Sequence, residues 1–596
     1  MRLKTLKLKR AVAVLAATCT LGTCCVAGSI AWAAGGSEST LAEGENTANI
    51  KANQPTSITI YKYEGPETSI RNNGKEQTIP SKQLPISGVK FKLTPILDSK
   101  GNKIDLSQTS GWEAIKNLNV ENKTAAQALK DANLKPSTTE ADIKEQATCA
   151  KNDQDCTKEG STTFDLGTTY GLYLVEEDLA NSKPMRDGKP VSVTKQVNPF
   201  LVTVPLPNTK DHDWIYKLNI YPKNDVSTNR VTKKAQAAPN QPFIEGTKTT
   251  MGWDISIPLT ALKPGETKYS NVSFTDPINT DFLNYSSVKD VKLTDKDGNN
   301  AEPLDTSMYE VKAYSDTNAT PTEVTDLSTA DKLKTVKWIR VKLIGEGLTK
   351  ATAKVGGKLI ATVVTTVIAP GQIKNFINTD VDGITTGEGD KTPCVPTKDH
   401  PCETPGNPTH EGEDTTNFAT LNIDKIGLSD GDNKDGNPLK GAVFQVYEAA
   451  EGKQLNDLNG KKVSEVNTAN AKGLIDDSGK VRTMAATNDK GKASDSFFVG
   501  NNSTTSHVYC AVETKAPDGF ELDDKLHCVN LTAGAEDSAN TLKINNKKAT
   551  GLDKILGALP MTGARGLVIL TVCGIVGIAG TLFYVVMKRR KEQEQE

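Results

Sequence analysis

A lysine, an asparagine and a glutamate occupy unusual positions in the last third of the chain. Each falls on the apolar face of a predicted strand: Lys425 with Leu421 and Ile423, Asn546 with Leu542 and Ile544, and Glu513 with Tyr509 and Ala511. Burial lowers the pKa of a lysine and raises that of a carboxyl. A neutral Lys425 amine could then attack the Asn546 carboxamide, while the Glu513 carboxyl donates a hydrogen bond to the amide oxygen and ammonia leaves. The alternative is a buried salt bridge beside a hydrogen-bonded asparagine.

A second set of the same kind lies in the middle of the chain. Asp276 is in phase with Val272 and Phe274, and Asn375 is in phase with Ile373 and Ile377. Two lysines compete for the third position. Lys233 shares the face of Val231, so the phase favours Lys233 over Lys234. The two sets are expected to lie in separate cores and to act independently.

The first third of the chain holds only part of such a set. Lys62 is in phase with Ile58 and Ile60, and Glu177 is in phase with Tyr173 and Val175. No asparagine fits the last predicted strand of this region, which runs from Pro199 to Pro205. We therefore expect no lysine–asparagine bond there.

The segment from Trp214 to Asn224 ends in a lysine that could act between molecules. It alternates with period two, so Trp214, Tyr216, Leu218 and Ile220 share its apolar face. Pro222 cannot donate to a strand ladder, so pairing should end there. Lys223 is therefore expected at a strand end with its amine in solvent. An ordinary exposed strand lysine is the alternative.

A short motif stands before an apolar segment near the end of the chain. The motif is Leu559-Pro560-Met561-Thr562-Gly563, and the uncharged segment Gly566–Met587 follows it. Twenty-two helical residues at ~1.5 Å rise span ~33 Å, which is enough to cross a bilayer. The basic run that begins at Lys588 would hold the tail in the cytoplasm. An ordinary single-span protein is the alternative.

Together these features resemble the backbone pilins that sortases assemble on Gram-positive bacteria. Residues 559–563, the apolar segment and the basic tail resemble a cell-wall sorting signal. Residues 214–224 resemble the pilin motif W-x3-V-x-V-Y-P-K-N, with Leu218 and Ile220 at the valine positions. Residues 509–520 resemble the pilin E-box Y-x-L-x-E-T-x-A-P-x-G-Y, with Ala511 and Phe520 as departures.

The resemblance implies a mechanism of assembly. A sortase cysteine would attack the Thr562 carbonyl, and Lys223 of the next subunit would resolve the acyl-enzyme. The buried sets resemble the isopeptide sites of Cna-type domains, which implies a Lys425–Asn546 bond beside Glu513 and a Lys233–Asn375 bond beside Asp276. The implied partners are identical subunits, a pilin-specific sortase, a housekeeping sortase and accessory or tip pilins. Only this intramolecular autocatalysis is expected, so the chain is not predicted to be an enzyme.

Composition agrees with an extracellular structural protein. The 71 basic and 73 acidic residues give a net charge of −2, which provides no basic face for nucleic acid. The five histidines form no HExxH motif and no glycine-rich phosphate loop follows a strand, so neither a metal nor a cofactor is expected. Short β-branched runs separated by turns predict an all-β rod of tandem immunoglobulin-like sandwiches of Cna-A and Cna-B type, with a C-terminal transmembrane helix.

The chain divides into seven predicted segments. They are a signal peptide (1–33), a disordered stretch (34–55), an N-terminal Cna-B-like domain (56–210), a middle Cna-A-like domain that begins with the pilin motif (211–381), a linker (382–418), a C-terminal Cna-B domain (419–550) and the sorting signal (551–596).

Cysteine usage also indicates an oxidising compartment. Six cysteines lie between the signal peptide and the apolar segment, in three neighbouring pairs: Cys149/Cys156, Cys394/Cys402 and Cys510/Cys528. Local disulfides are the simplest of the fifteen possible connectivities, and free thiols are the alternative.

The predicted function is that of the major subunit of a covalently polymerised, wall-anchored pilus that supports adhesion and colonisation. It would be held in the membrane transiently, before sortase cleavage. A wall-anchored monomeric adhesin of Cna-B type is the alternative, and only the segment Trp214–Lys223 separates the two. The sequence names no receptor.

Overall fold

The structure, a computed structural model, describes residues 50–65, 73–79, 83–121, 123–208, 213–386, 391–402, 412–428, 436–476 and 478–549. The predicted signal peptide, the 559–563 motif with Thr562, the apolar segment 566–587 and the basic tail lie outside these residues. Within the described ranges no helix is long and apolar enough to cross a membrane.

The first domain is built from short strands around two hydrophobic clusters. Its strands are β1 Thr56–Tyr61, β2 Tyr63–Glu64, β3 Lys90–Leu97, β4 Lys135–Pro136, β5 Lys144–Ala147, β6 Ser161–Gly167, β7 Gly171–Asp178, β8 Met185–Arg186, β9 Lys189–Pro190, β10 Ser192–Lys195, β11 Phe200–Val204, β12 Leu206–Asn208, β13 Asp213–Ile215, β14 Lys217–Ile220 and β15 Lys223–Ser227. Two helices, α1 Thr109–Ile115 and α2 Ala125–Asp131, cover one of the clusters.

The first domain ends later than its sequence indicated. β14 pairs in parallel with β1, and β15 pairs in parallel with β2. Leu218 and Ile220 therefore point into the same core as Ile58 and Ile60. The predicted boundary at residue 210 is too early, because the last two strands complete sheets that begin with the first two.

The start of this domain is also more ordered than predicted. Ile50 is buried in the cluster that α1 and α2 cover. The Lys51 backbone N–H donates to the Tyr216 hydroxyl at 2.7 Å, and the Gln54 N–H donates to the Tyr170 hydroxyl at 2.8 Å. Ile50 and the backbones of Lys51 and Gln54, within the stretch predicted to be disordered, thus contact the domain.

The middle domain is a sandwich of two five-stranded sheets, β16-β17-β23-β19-β20 and β21-β22-β18-β25-β26. Its strands are β16 Thr232–Ala235, β17 Thr250–Pro258, β18 Val272–Pro277, β19 Leu283–Thr294, β20 Glu302–Pro303, β21 Tyr309–Tyr314, β22 Trp338–Leu343, β23 Lys358–Val367, β24 Gly371–Phe376, β25 Asn378–Val381 and β26 Ile384–Thr386, with helices α3 Ala330–Leu333 and α4 Glu346–Ala353. Alternating residues of β17 and β23 supply much of one apolar cluster between the sheets.

The third domain is a smaller sandwich. Its strands are β27 Glu413–Leu428, β28 Asn437–Pro438, β29 Val443–Ala449, β30 Ala471–Gly473, β31 Lys492–Asn501, β32 Ser506–Lys515, β33 Leu526–Thr532 and β34 Thr541–Lys547, with helix α5 Leu455–Leu458. The first strand, β27, pairs with β31 and in parallel with the last strand, β34. β27 begins at Glu413, so the end of the predicted 382–418 linker is strand.

The three disulfides join the local pairs that the sequence predicted: Cys149–Cys156, Cys394–Cys402 and Cys510–Cys528. Cys510 and Cys528 are register partners on β32 and β33. The local pairing is confirmed.

Candidate functional sites

The third domain brings its lysine, glutamate and asparagine together. Lys425 lies on β27, Glu513 on β32 and Asn546 on β34, and no more than 2% of any of these residues is exposed. The Lys425 amine lies 3.0 Å from Glu513 Oε1 and donates to Asn546 Oδ1. The Asn546 Nδ2 donates to both Glu513 oxygens, at 3.0 and 2.7 Å. In the parallel pairing of the first and last strands Lys425 is opposite Ile544, so the lysine and Asn546, two residues further on, face the same core.

The orientation of the glutamate differs from the expectation. Glu513 faces the nitrogen of the Asn546 amide, not its oxygen. Its Oε2 also accepts the Asp523 backbone N–H at 2.9 Å. Burial lowers the pKa of Lys425, although the Glu513 charge and hydrogen bond oppose the shift. The carboxyl is thus placed to exchange protons with the lysine and with the amide nitrogen.

The middle domain holds the second site. The Lys233 amine lies 2.5 Å from Asp276 Oδ2, and both side chains are fully buried, whereas Lys234 is exposed. Burial lowers the pKa of Lys233 to about 8 against the opposing charge of Asp276, and burial raises the pKa of Asp276. Asn375 is 1% exposed on β24.

The Asn375 side chain is unusual because it is buried without ordinary hydrogen bonds. It lies close enough to Asp276 to oppose in part the rise in the pKa of that carboxyl that burial causes. Neither its Nδ2 nor its Oδ1, however, has a hydrogen-bond partner of ordinary geometry among the described residues. Buried amides are nearly always hydrogen-bonded, and an unsatisfied one costs about 1–3 kcal/mol. This asparagine therefore needs an explanation other than packing.

The first domain contains a third site, which was not predicted from the sequence. The Lys62 amine donates to Asn224 Oδ1 at 2.5 Å and lies 3.1 Å from Glu177 Oε1, and the Asn224 Nδ2 donates to the same Glu177 oxygen at 2.6 Å. Lys62 and Asn224 are both fully buried. The expectation that no asparagine would complete this set is wrong, because Asn224 had been assigned to the next domain.

Each buried lysine also lies near an aromatic ring of the surrounding core. The amines of Lys62, Lys233 and Lys425 lie 5.5, 5.5 and 5.6 Å from the ring centroids of Phe91, Trp253 and Phe444, respectively. The rings help to exclude water from the three sites. Their phase on β3, β17 and β29 marks them only as core residues, so the sequence carried no signal for this role.

Lys223 directly precedes Asn224 and is the first residue of β15. The pairing of β14 ends at Ile220, before Pro222, as predicted, but pairing with β2 begins at Lys223. The alternation also stops at Pro222. Tyr221 stacks on Tyr61 with ring centroids 4.9 Å apart, and Lys223 is only 8% exposed. The expectation of a solvent-exposed lysine is therefore wrong.

Comparison with known proteins identifies the families that the first and third domains match. Residues 53–225 match a sequence model described as Gram-positive pilin subunit D1, N-terminal domain, and residues 424–548 match one described as SpaA, prealbumin-like fold domain. The chain belongs to the Gram-positive pilins. The first match ends at residue 225, which agrees with a first domain that includes β15.

Two curated relatives are similar to this pilin over nearly its whole length. It is 27% identical over 582 residues to the fimbrial subunit type 1 of Actinomyces viscosus, with 92% of each chain covered. It is 26% identical over 581 residues to the fimbrial subunit type 2 of Actinomyces naeslundii, with 93% of each covered. The full-length major pilin SpaD from Corynebacterium diphtheriae has a similar fold, with a TM-score of 0.50 and 22% identity over 85% of this chain and all of that one.

Proposed function

We propose that this pilin is the major shaft subunit of a covalent, wall-anchored pilus, polymerised by sortases through Lys223 and Thr562. The sorting motif supplies an acyl donor at Thr562, and the pilin motif supplies the amine. The Lys223 amine attacks the acyl-enzyme, the new amide joins two subunits, and the sortase cysteine leaves. Because Lys223 is only 8% exposed, docking of the acyl-enzyme has to uncover its amine.

We propose further that each domain forms an internal isopeptide bond: Lys62–Asn224, Lys233–Asn375 and Lys425–Asn546. The observation that supports this most is the repeated arrangement of a buried lysine, carboxyl and asparagine, twice with hydrogen bonds or ion pairs among all three. Leaving such charges buried is expensive, because desolvation costs several kcal/mol per ion and a hydrophobic replacement is often neutral or stabilising. Stability alone would not favour three of them.

The chemistry uses the carboxyl as a proton carrier. It takes a proton from the lysine ammonium, and the neutral Nζ attacks the asparagine carbonyl carbon to form the new C–N bond. Nζ gives up two protons as it changes from ammonium to amide. One completes the departing ammonia when the bond to Nδ2 breaks, and the other is left on the carboxyl. In the middle domain, a bond to Lys233 also accounts for the Asn375 amide that lacks ordinary partners.

The bonds suit a filament under tension. In the third domain the lysine and asparagine lie on the first and last strands. In the first domain Lys62 directly precedes β2, and Asn224 lies on β15, which pairs in parallel with β2. A force that enters at Lys223 meets the Lys62–Asn224 bond one residue away. Such a bond carries load without breaking the hydrogen-bonded sheets, which supports a role in adhesion and colonisation under flow.

A wall-anchored monomeric adhesin would share these domains but would not use Lys223. Mass spectrometry of a proteolytic digest of wall-released pili tests the difference. We expect a branched peptide in which the Thr562 carbonyl is bonded to the Lys223 amine. Recovery of the 566–587 segment from the polymer, or an unmodified Lys223 in every subunit, would contradict the proposal.

A further inference from the structure

We propose that the middle and third domains share strand β27 and exchange aromatic side chains, so that each domain supports the cross-linking site of the other. This inference rests on the proposed isopeptide bonds. We call β27 (Glu413–Leu428) the shared strand and residues 242–245 the reciprocal segment.

The first half of the shared strand completes the middle domain. Among the described strands, β24, which carries Asn375, pairs only with the shared strand, and Asn375 is opposite Asp414. Asp414 Oδ2 accepts the Ala235 backbone N–H at 2.8 Å, two residues beyond Lys233. The third domain's first strand therefore fixes both β24 and β16, the strands that hold the two partners of the middle bond.

Aromatic packing reinforces this contact. Phe418, on the shared strand, is fully buried and belongs to the hydrophobic core of the middle domain. Phe498 on β31 packs against the same core, and the two rings make an edge-on contact with centroids 5.5 Å apart. Two phenylalanines of the third domain thus contribute to the core around the middle site.

The reciprocal segment belongs to the middle domain and packs into the third. Phe243 comes from the middle domain, yet it is fully buried in the core of the third domain with residues of the shared strand and of β32, which carries Glu513. Backbone hydrogen bonds hold it to β31: Ile244 N–H donates to Ser496 at 2.9 Å, and Phe498 N–H donates to the Pro242 carbonyl at 2.8 Å.

An arginine of the third domain contacts the reciprocal segment near the surface. The Arg482 guanidinium of the third domain lies 4.1 Å from the centroid of the Phe243 ring and 3.6 Å from Glu245, and its Nε is 2.7 Å from Asp495. The reciprocal segment is therefore held on both its apolar and its charged sides. Since the shared strand meets Asn375 at one end and carries Lys425 at the other, damage to either domain should reach the site of the other.

Crosswise substitutions in the full ectodomain test this inference. Phe243→Ala changes only the reciprocal segment, which comes from the middle domain. We nevertheless expect hydrogen exchange in the third domain to accelerate at least about tenfold, because the core of that domain loses a large side chain. The Lys425–Asn546 bond should also form more slowly after refolding. Phe418→Ala should do the same to the middle domain and to the Lys233–Asn375 bond.

Two matched substitutions serve as controls. Leu293 and Leu531 are fully buried in the middle and third cores, and neither belongs to the exchanged segments. Leu293→Ala and Leu531→Ala should each accelerate exchange chiefly in their own domain. If either phenylalanine variant fails to fold, Phe243→Leu and Phe418→Leu provide the same comparison at smaller amplitude.

Effects of Phe243→Ala and Phe418→Ala that stay in the domain of the substituted segment would overturn the inference. Hydrogen exchange reports the coupling whether or not the bonds exist. A parent protein of full, unshortened mass with the crosswise exchange pattern would therefore reject the isopeptide bonds and keep the domain exchange. A shortened mass without the crosswise pattern would keep the isopeptide bonds and reject the domain exchange.

Discussion

At the scale of single residues, side-chain phase was the most informative signal. It placed Lys425, Glu513 and Asn546 on inward faces, and it favoured Lys233 over the exposed Lys234. It could not find Asn224, because phase identifies which face a residue occupies but not which domain its strand joins. It also failed for Lys223, since the backbone changes direction at Pro222 and the alternation on one side does not continue on the other.

The role of the carboxyls gives a prediction at this scale. Each bond releases one ammonia, so the intact mass of an Ala34–Thr562 protein should fall short by three ammonia masses after correction for disulfides. Glu513→Gln should restore one of them, because an amide in that place cannot carry a proton from Lys425 to the departing nitrogen. Intact-mass and peptide-mapping spectra would measure both.

Glu521→Gln is the matched control, because Glu521 is partly exposed and follows Glu513 by eight residues on the same stretch of chain. Its spectrum should keep the full shortfall. A Glu513→Gln protein that retained the Lys425–Asn546 bond would show that the carboxyl is not needed.

At the scale of strands and sheets, sequence patterns predicted local strands well but did not predict which distant strands pair. Alternating runs predicted strands such as β1 and β14, and Pro222 marked the end of one of them. The parallel pairing of β1 with β14 could not be predicted, because about 160 residues separate the paired positions and either strand would match other partners in the hydrophobic pattern. For the same reason, the pairing of β24 with the shared strand could not be predicted from the sequence.

The revised boundary makes a prediction at this scale. A fragment of residues 50–227 should fold cooperatively, whereas residues 50–210 should not, because β1 and β2 would lose their parallel partners and the core would lose Leu218 and Ile220. Truncation of two fully buried aliphatic side chains alone costs roughly 4–10 kcal/mol, comparable to the whole stability of a small domain. Thermal unfolding followed by circular dichroism distinguishes the two fragments, and a cooperative transition in the shorter one would contradict the boundary.

At the scale of the whole molecule, composition and cysteine usage predicted a secreted all-β chain, and the comparisons confirm a Gram-positive pilin. The middle and third domains have separate hydrophobic clusters, as expected, but the proposed exchange makes their independence a question for experiment. Phe243 and Phe418 each lie in the core of the neighbouring domain. Sequence patterns label both simply as buried, so no pattern could show that they cross between domains.

A polymer assay in the native cell tests whether subunits are joined through Lys223. Wall extracts boiled in detergent and reductant should give a ladder of high-mass species on blots against the subunit. Lys223→Ala should abolish the ladder and leave a folded, wall-linked monomer, while Lys217→Ala, which removes an exposed lysine of the same motif, should leave it intact. An undiminished ladder in the Lys223→Ala strain would contradict the account.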